Sequence, residues 1–390
     1  MSPPRDPLPV LAELWLLREG ADQDVVVSSR MRLARNVQGF HFKSRFRAEE
    51  AERLERHLRG AIKAARPDLA YASMNELSSV QRDVLFERHM VSAEHVQEAH
   101  PRGVAFSGDG TVSVLVNEED HLRMQVFAPG LDLSRVDGEV NSLDDRLSAL
   151  LPFSFNEKYG YLTGCPTNTG TGLRVSVMLH LPALSFRPEG KPAPEPGILK
   201  VSKAAQKLGL TVRGTHGESS RAEGDFYQIS NQVTLGRSPE QAVADLQAML
   251  AQVIDYERNS RAILLREDRV RLEDVVWRAW ATLRYARRIS SREALAHLSA
   301  LRLGVCLKLI DTVQLKTLHT LMVGMQPGHL QLGPGGSCGR WSGTWCAPSS
   351  FGILSGQPDV LGLPGVRPGP APVGKSGGWR SARTSRQPML

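Results

Sequence analysis

Alternation of apolar and polar residues predicts several strands in the first part of the chain, and helical spacing predicts helices around and after them. The predicted strands are 25–33, 111–116, 122–127, 173–181 and 226–235. The predicted helices are 48–65, 143–151, 239–258 and most of 291–326. Ser142 stands three residues before Asp145, the spacing of a capping box, and would begin the second helix. This order predicts an α/β region followed by a helical C-terminal domain.

Strand periodicity also predicts which charged side chains share one side of the sheet. In the first strand Arg30 and Arg32 lie opposite the apolar residues, and in the fourth strand Arg174 does the same. A surface ion pair of little energetic weight is the ordinary explanation for a single strand arginine. Several arginines on polar strand faces favour a polyphosphate ligand instead, because planar guanidinium groups hold phosphate oxygens in a fixed geometry.

Two carboxylates add to this pattern. An extended backbone through NEEDHLRMQ would place Glu119 beside Arg123 on one face. Glu218 lies in the glycine-bracketed segment RGTHGESS, where the backbone can approach a ligand closely. Such a pair suits a guanidinium nucleophile, which attacks phosphate poorly until a carboxylate orients it and takes a proton. Neither a GxxxxGK[ST] loop nor HRD and DFG motifs occur, so in a kinase the arginines would replace the phosphate-binding loop.

The cysteines indicate neither a disulfide framework nor a metal site, since they form no CxxC pair and no cluster at zinc spacing. Cys165 lies in the turn-rich segment GYLTGCPTNTGTGLR. Taken alone, it is explained as a small buried apolar residue. Flanking arginines would favour a reactive thiolate.

Charge and hydropathy exclude other classes of function. The last sixty residues hold six Lys and Arg against one Asp, which supplies +5 of the formal net charge of +7. The basic balance is therefore weak evidence for nucleic acid. No apolar run approaches the roughly 18 residues that a membrane span requires, and the N-terminus lacks the features of a secretory signal. We expect a cytoplasmic protein without a membrane or a direct nucleic-acid partner.

Several long motifs resemble the phosphagen kinase superfamily, and specifically its bacterial protein-arginine kinases. They are SSRMRLARN, VNEEDHLRMQ, YLTGCPTNTGTGLRVSVMLHLPAL, RGTHGESS and YQISNQVTLG, within a similarity that runs from about 24 to 331. The resemblance implies an α+β fold with an antiparallel sheet flanked by helices. It also implies a dimerising helical C-terminal domain and transfer of the ATP γ-phosphoryl group to arginine side chains of proteins. Implied partners are an McsA-like activator, a ClpC-type unfoldase and a CtsR-type repressor, in protein quality control and the stress response.

The resemblance also implies site residues and a cofactor. Glu119 and Glu218 match the guanidinium-binding carboxylates, and Cys165 matches the active-site cysteine. Magnesium would accompany ATP, held largely by phosphates and water. His216 stands where kinases of small guanidines tend to carry Arg, which bears on the choice of substrate. The nucleotide-contacting positions are Ser28, Ser29, Arg30, Met31, Arg32, His89, Arg123, Arg174, Val175, Ser176, Val177, Met178, Arg213, Gly214, Thr215, His216, Gly217 and Glu218.

Two departures from the family pattern refine the interpretation. Only 27 residues precede Ser28, whereas kinases of free creatine or arginine carry a helical domain there that closes over the small substrate. A protein substrate is therefore favoured over a free guanidino compound. A non-catalytic phosphoarginine-binding adaptor is the other alternative, but both carboxylates are present. We divide the chain into an N-terminal segment 1–23, a catalytic domain 24–255, an incomplete helical domain 256–331 and a tail 332–390.

The tail is the second departure. It is rich in Gly and Pro and lacks the RDxxRA phosphoarginine-binding motif that the family pattern implies. With G/C-ending codons, the segment RWSGTWCAP at 340–348 gives Val-Glu-Arg-Asp-Val-Val-Arg-Ala in a neighbouring frame, which restores the motif. We hypothesise a frameshift shortly after Gln331, in the gene or in its sequencing. The translated tail is predicted to be disordered.

Overall fold

The five predicted strands lie in one eight-stranded sheet together with three strands that were not predicted, and all of its pairings are antiparallel. The strands follow one another across the sheet in the order 70–73, 103–106, 112–116, 122–129, 26–35, 173–180, 226–231 and 210–214. The computed structural model describes residue 8 and residues 13–186, 197–214 and 222–332, together with the backbone of 345–346. The strands are β1 Val26–Arg35, β2 Ala70–Ser73, β3 Gly103–Phe106, β4 Val112–Val116, β5 Leu122–Pro129, β6 Phe155–Asn156, β7 Gly160–Tyr161, β8 Leu173–His180, β9 Leu210–Gly214, β10 Phe226–Asn231, β11 Arg288–Ile289 and β12 Trp345–Cys346. The α+β prediction with an antiparallel sheet is confirmed.

Helices pack against both sides of this sheet and form the C-terminal part of the described chain. They are α1 Ala48–Ala65, α2 Ser79–Glu87, α3 Ala93–Gln97, α4 Leu133–Ser148, α5 Pro182–Ser185, α6 Gly197–Lys207, α7 Pro239–Glu267, α8 Arg269–Tyr285, α9 Ser291–Cys306, α10 Leu315–Gly324 and α11 Pro327–Leu332. None of these helices combines the length and the apolar character needed to cross a bilayer.

Some predicted boundaries differ from the observed ones. Helix α1 has the predicted bounds, but the helix predicted at 143–151 is the second half of α4. Asp132 caps α4 by accepting a hydrogen bond from the backbone N–H of Arg135, so the capping box predicted at Ser142 is wrong. Strand β10 ends at Asn231 rather than at 235. Helix α7 crosses the proposed boundary between 255 and 256, and the division into domains stays a prediction.

Along β1 and β8 the two sides of the sheet differ in character. One side carries Met31 and Leu33 from β1 together with Val175 and Val177 from β8, all buried in one apolar core. That core also takes its residues from α1, α4, α6 and α7. Because side chains alternate along a strand, the intervening arginines are placed on the other side, as the sequence predicted.

A junction of buried polar groups joins the helical region to the sheet. Glu257 of α7 accepts a hydrogen bond from Nε of Arg261 at 2.7 Å and two more from backbone N–H groups of α5. Arg302 of α9 donates to Nδ1 of His180, at the end of β8, at 2.7 Å. Nε2 of His180 then donates to the hydroxyl of Ser299 at 2.8 Å, so one neutral tautomer satisfies both contacts.

Helix α11 packs against helix α2. The carboxylate of Glu87 in α2 accepts hydrogen bonds from the backbone N–H groups of Gly328 and His329, at 2.6 and 3.1 Å. The predicted tail 332–390 lies outside the described residues, apart from Leu332 and the backbone of β12, which pairs with β11.

Candidate active site

Arginines from three neighbouring strands point to the same side of the sheet. The register pairs Arg32 of β1 with Arg174 of β8, and directly paired residues share a face. Arg123 of β5 pairs with Ala34, two residues after Arg32 on β1, and Arg30 lies two residues before it. We call the side that carries Arg30, Arg32, Arg123 and Arg174 the arginine face. Its parity confirms the prediction for Arg30, Arg32 and Arg174.

Arg30 is held in place by its neighbours on the next two strands. Its Nε donates to the hydroxyl of Ser176 at 3.2 Å, and its Nη2 donates to Oε1 of Gln228 at 2.8 Å. Its guanidinium lies 5.8 Å from the ring centroid of Phe127. Burial, and then the positive charge of Arg123, lower the pKa of Arg30 to about 10. The side chain is therefore fixed in position in surroundings that do not balance its charge.

Arg32 lies at the centre of the face and is less well satisfied. Its Nε is buried without a hydrogen-bond partner, and none of the carboxylates in the described part of the chain pairs with it. Burial lowers the pKa of Arg32 well below its ordinary value, and the charges of Arg30, Arg123 and Arg174 lower it further. Glu118 opposes this shift. A bound anion would relieve both the missing hydrogen bond and the repulsion.

The partner of Arg123 is Glu118, not Glu119. Strand β5 begins only at Leu122, and residues before it form a tight turn closed by a 3.0 Å hydrogen bond from the N–H of Asn117 to the carbonyl of His121. Nη1 of Arg123 therefore donates to Oε1 of Glu118 at 2.6 Å. The extended backbone expected through 117–121 was wrong, because Asn117 adopts a positive φ of 58° that turns the chain.

Glu118 is a buried anion inside a cationic surface. Burial alone would raise its pKa, but Arg123, the hydroxyl of Ser92 and the backbone N–H of Glu119 outweigh burial and lower the pKa of Glu118 to about 2. The Ser92 hydroxyl donates to it at 2.6 Å. Glu118 raises the pKa of Arg123 against the effect of burial. The charges of Arg123 and Glu118 therefore balance each other, whereas Arg30, Arg32 and Arg174 together keep a net positive charge.

Glu119 lies exposed at the tip of the turn, and a hydrogen-bonded chain links it to the arginine face. Its Oε2 accepts from Nδ2 of Asn168 at 3.3 Å, and Oδ1 of Asn168 accepts from Nε of Arg174 at 3.1 Å. Nη2 of Arg174 donates to the hydroxyl of Thr167 at 3.1 Å, and that hydroxyl lies 3.1 Å from Sγ of Cys165. The structure therefore brings Glu119, Cys165 and Arg174 together.

The loop that carries Cys165 is anchored at its base and at its side. Tyr161 and Gly170 form an isolated antiparallel bridge that closes the loop 162–169. The backbone N–H of Gly164 donates to Oδ1 of Asp120 at 2.6 Å, next to Glu119 in the sequence. Asp120 is held in turn by Nδ2 of Asn36 at 2.7 Å. These contacts fix the relative position of the loop and the turn.

The remaining nucleotide-contacting candidates divide by strand parity. Ser176 and Met178 share the arginine face with Ser28, whereas the side chains of Met31, Val175 and Val177 point into the apolar core. Ser29 also points away from the arginine face, and its hydroxyl donates to the carbonyl of Gly130 and accepts from the N–H of Asp132. The side chains of these four residues thus face away from any ligand on the arginine face, and their contact with the nucleotide stays a prediction.

Three further candidates lie at the margins of the face. His89 is exposed with a positive φ of 60°, and its carbonyl accepts from Nε2 of Gln125, which is on the arginine face. Arg213 pairs in register with Gln228, and Gly214 ends the same strand. The predicted residues Thr215, His216, Gly217 and Glu218 lie outside the described residues.

Sequence reasoning missed several residues that organise this site. Glu118, Asn168 and Gln228 all make side-chain contacts to the arginines. Asn followed by two Glu and an Asp is a composition typical of turns, and this signal could have identified Glu118 as the anion on the strand side. Among the described residues, no group of three or more His, Cys, Asp or Glu side chains could hold a metal ion.

Comparisons with known proteins agree with this geometry. Residues 51–260 match the model of the ATP:guanido phosphotransferase C-terminal catalytic domain, and residues 269–337 match that of the protein-arginine kinase McsB C-terminal domain. A protein-arginine kinase of Halothermothrix orenii is 42% identical over 318 residues, covering 81% of this chain and 89% of its own. One from Geobacillus kaustophilus is 41% identical over 328 residues, covering 83% and 88%.

Solved structures resemble the fold over about two thirds of the chain. A crystal structure of lombricine kinase has a TM-score of 0.53 at 27% identity, covering 66% of this chain and 74% of its own. A substrate-free duplicated taurocyamine kinase from Schistosoma mansoni has a TM-score of 0.52 at 25% identity. The match covers 66% of this chain but only 38% of that duplicated protein.

Proposed function

The chain belongs to the protein-arginine kinases of the ATP:guanido phosphotransferase family, and we propose that its arginine face is the surface on which the phosphoryl group is transferred. The enzyme is an ATP-dependent phosphotransferase whose acceptors are arginine side chains of proteins. The observation that carries the assignment of the site is the uncompensated positive charge of Arg30, Arg32 and Arg174 beside Glu119 and Cys165. The arginines suit the phosphates of a nucleotide, and the carboxylate and the thiol suit an acceptor guanidinium.

The arginine face holds the phosphates of ATP. Arg32, with a buried and unpartnered Nε, supplies hydrogen bonds and charge to the phosphate oxygens. Arg30 is oriented by Ser176 and Gln228, and Arg174 by Asn168 and Thr167, so little reorganisation is needed when charge develops in phosphoryl transfer. Arg123 remains paired with Glu118 and adds to the positive electrostatic potential at one edge of the arginine face.

Glu119 binds the acceptor arginine, together with Glu218 from the segment outside the described residues. A carboxylate orients the guanidinium and takes a proton from the attacking nitrogen. The N–P bond forms as the bond between the γ-phosphorus and the β–γ bridging oxygen breaks, and ADP leaves with that electron pair. Cys165 lies beside this carboxylate through Thr167 and Asn168, where it contacts the bound guanidinium.

Magnesium accompanies ATP in this proposal. The described part of the site offers guanidinium groups rather than a cage of carboxylates, which fits an ion held by phosphate oxygens and water. The ion would neutralise phosphate charge that the arginines do not reach.

The cellular setting is part of the same proposal. We infer a cytoplasmic enzyme of protein quality control and the stress response that acts as a homodimer if its C-terminal domain is intact. Its proposed partners are an McsA-like activator, a ClpC-type unfoldase and a CtsR-type repressor. The family membership supports these inferences.

Incubation with ATP, Mg²⁺ and an arginine-rich protein tests the reaction and the site together. The wild type should place acid-labile phosphate on arginine, located by mass spectrometry under neutral conditions. Glu119→Gln should lower the rate by about 10²- to 10⁴-fold, the range for removal of a general base. Phosphate on serine or on free arginine only would overturn the assignment, and an unchanged rate in Glu119→Gln would remove this carboxylate from the site.

A further inference from the structure

A groove of about 420 Å³ lies beside the loop that carries Cys165, on the side away from the arginine face. Its walls include large apolar side chains that remain unusually exposed: Phe155 at 55%, Leu235 at 50% and Tyr159 at 45%. Exposed apolar residues that cluster around a concave surface are typical of interaction sites. The residues that line the groove include Arg35, Lys158 and Arg237 but no carboxylate.

The floor of the groove is rigid. Arg35 donates to both carboxylate oxygens of Asp144, at 3.0 and 2.6 Å, and its guanidinium lies 3.5 Å from the ring centroid of Tyr161. Tyr161 packs edge-to-face against Phe155 with centroids 5.2 Å apart. Buried ion pairing therefore fixes an aromatic wall in place, and the groove exists before any ligand binds.

Both walls of the groove are hydrogen-bonded to the base of the Cys165 loop. Tyr161 bridges to Gly170 on one side. On the other side, the hydroxyl of Thr234 shares its hydrogen between the carbonyls of Thr167 and Thr169, at 2.9 and 2.7 Å. Thr167 contacts both Cys165 and Arg174, so the groove is continuous with the proposed acceptor site through one side chain.

We propose that the groove binds a flexible segment of the acceptor protein that carries an apolar or aromatic side chain beside the target arginine. This inference rests on the proposed function, because the target arginine would be held at Glu119, which contacts the loop that bounds the groove. The volume accommodates one or two large side chains. Arg35 and Arg237 are paired with Asp144 and Asp245, which leaves Lys158 to attract a carboxylate of the same segment.

Two synthetic peptides of equal length, each with one arginine, test the proposal. One carries Leu and Phe beside the arginine and the other carries Ser. Burying such side chains should give the wild type about a tenfold higher kcat/KM for the apolar peptide, mostly through KM. Leu235→Ser and Phe155→Ser should abolish this preference and leave the rate on the Ser peptide unchanged. Leu199→Ser, at a similarly exposed position on α6, should keep it.

Three outcomes would overturn the docking proposal. They are a preference that survives in both groove variants, an equal loss of activity on both peptides, and a change of molecular mass by light scattering that marks the groove as a contact between copies of the chain. Failure of the proposed function is distinguishable, because the wild type would then phosphorylate neither peptide. Fluorescence anisotropy of labelled peptides would still measure docking, with tighter binding of the apolar peptide expected only in the wild type and Leu199→Ser.

Discussion

Two clusters of arginines, one half-buried and one buried, lie at opposite ends of the same strands, β1 and β8, and their charges are balanced in different ways. At one end Arg32 and Arg174 face each other across the two strands on the arginine face. At the other end, Arg261 and Arg302 surround His180 at the junction with the helices. The sequence supplies guanidinium groups to both places, so residue type alone does not separate them.

Nearly all the hydrogen-bonding groups of the junction have partners, although burial lowers the pKa of Arg302 to about 10, as it does for Arg30. Arg261 pairs with Glu257, and Arg302 donates to the carbonyls of Gln23 and Asp24 and to His180, leaving only its Nε without a partner. On the arginine face the excess charge remains. Removing one partner of a buried ion pair leaves an uncompensated charge and is strongly destabilising, whereas an arginine without a carboxylate partner has no such pair to lose. We use this difference to separate the structural cluster from the one that we propose binds ATP.

The sharpest test of this contrast is Arg32→Lys. An ammonium group does not reproduce the planar fork on a phosphate, so kcat/KM should fall by about 10²- to 10³-fold. The melting temperature should change little, because the variant keeps the positive charge and Arg32 makes no ion pair with a described carboxylate whose loss would destabilise the folded state. Arg266→Lys, at an exposed position of α7, is the matched control and should change neither quantity. Near wild-type kinetics would remove Arg32 from the phosphate site.

The opposite result is expected for Glu257→Gln at the junction. Burial raises the pKa of Glu257, so its charge is itself held at a cost, but the amide would leave Arg261 buried without its counter-ion. The free energy of unfolding should drop by about 3 kcal/mol or more. Urea denaturation measures this, while kcat/KM well below the melting temperature should stay within about twofold of the wild type. A stable variant that loses catalysis would reverse the roles of the two clusters.

The contrast between the clusters also explains what the sequence could predict. Side-chain alternation is local, so the common face of Arg30, Arg32 and Arg174 could be predicted from each strand separately. The partner of Arg123 could not, because a left-handed residue at Asn117 makes Glu118, rather than Glu119, reach it. The alternation of apolar and polar residues does not reveal such a turn.

The junction was not predictable for a different reason. Its members are distant in the chain, with His180 and Arg302 separated by 122 positions. Neither periodicity nor a motif links an arginine inside a helix to a histidine at a strand end. The start of α4 was also missed. Its N-cap, Asp132, follows a short glycine-containing segment that resembles a loop in sequence.

A smaller effect should appear in the pH dependence of stability. Burial, followed by the charges of Arg302 and Arg261, lowers the pKa of His180 well below its ordinary value, so the folded state keeps it neutral. Its contribution is complete above the unfolded pKa of about 6.5 and is lost as the pH falls below it, by up to about 1.4 kcal/mol per pH unit. Burial also lowers the pKa values of His95 and His319, each to about 4, with the same sign.

His180→Gln isolates this contribution, because the amide can accept from Arg302 and donate to Ser299 without titrating. Between pH 7 and 5.5, urea unfolding of the variant should lose less stability than that of the wild type, while His95, His121 and His319, whose pKa values burial also lowers, titrate in both proteins. An identical slope in the two proteins would show that His180 does not titrate on unfolding.

The most direct test of the central claim is isothermal titration of ATP with Mg²⁺ into the wild type, Arg32→Lys and Glu119→Gln. If the arginine face holds the phosphates and the turn holds the acceptor, Arg32→Lys should bind ATP about tenfold or more weakly, the loss of a charge-assisted hydrogen bond. Glu119→Gln should bind ATP as the wild type does. Unchanged affinity in Arg32→Lys, or a loss of affinity in Glu119→Gln that matches its loss of rate, would contradict this assignment.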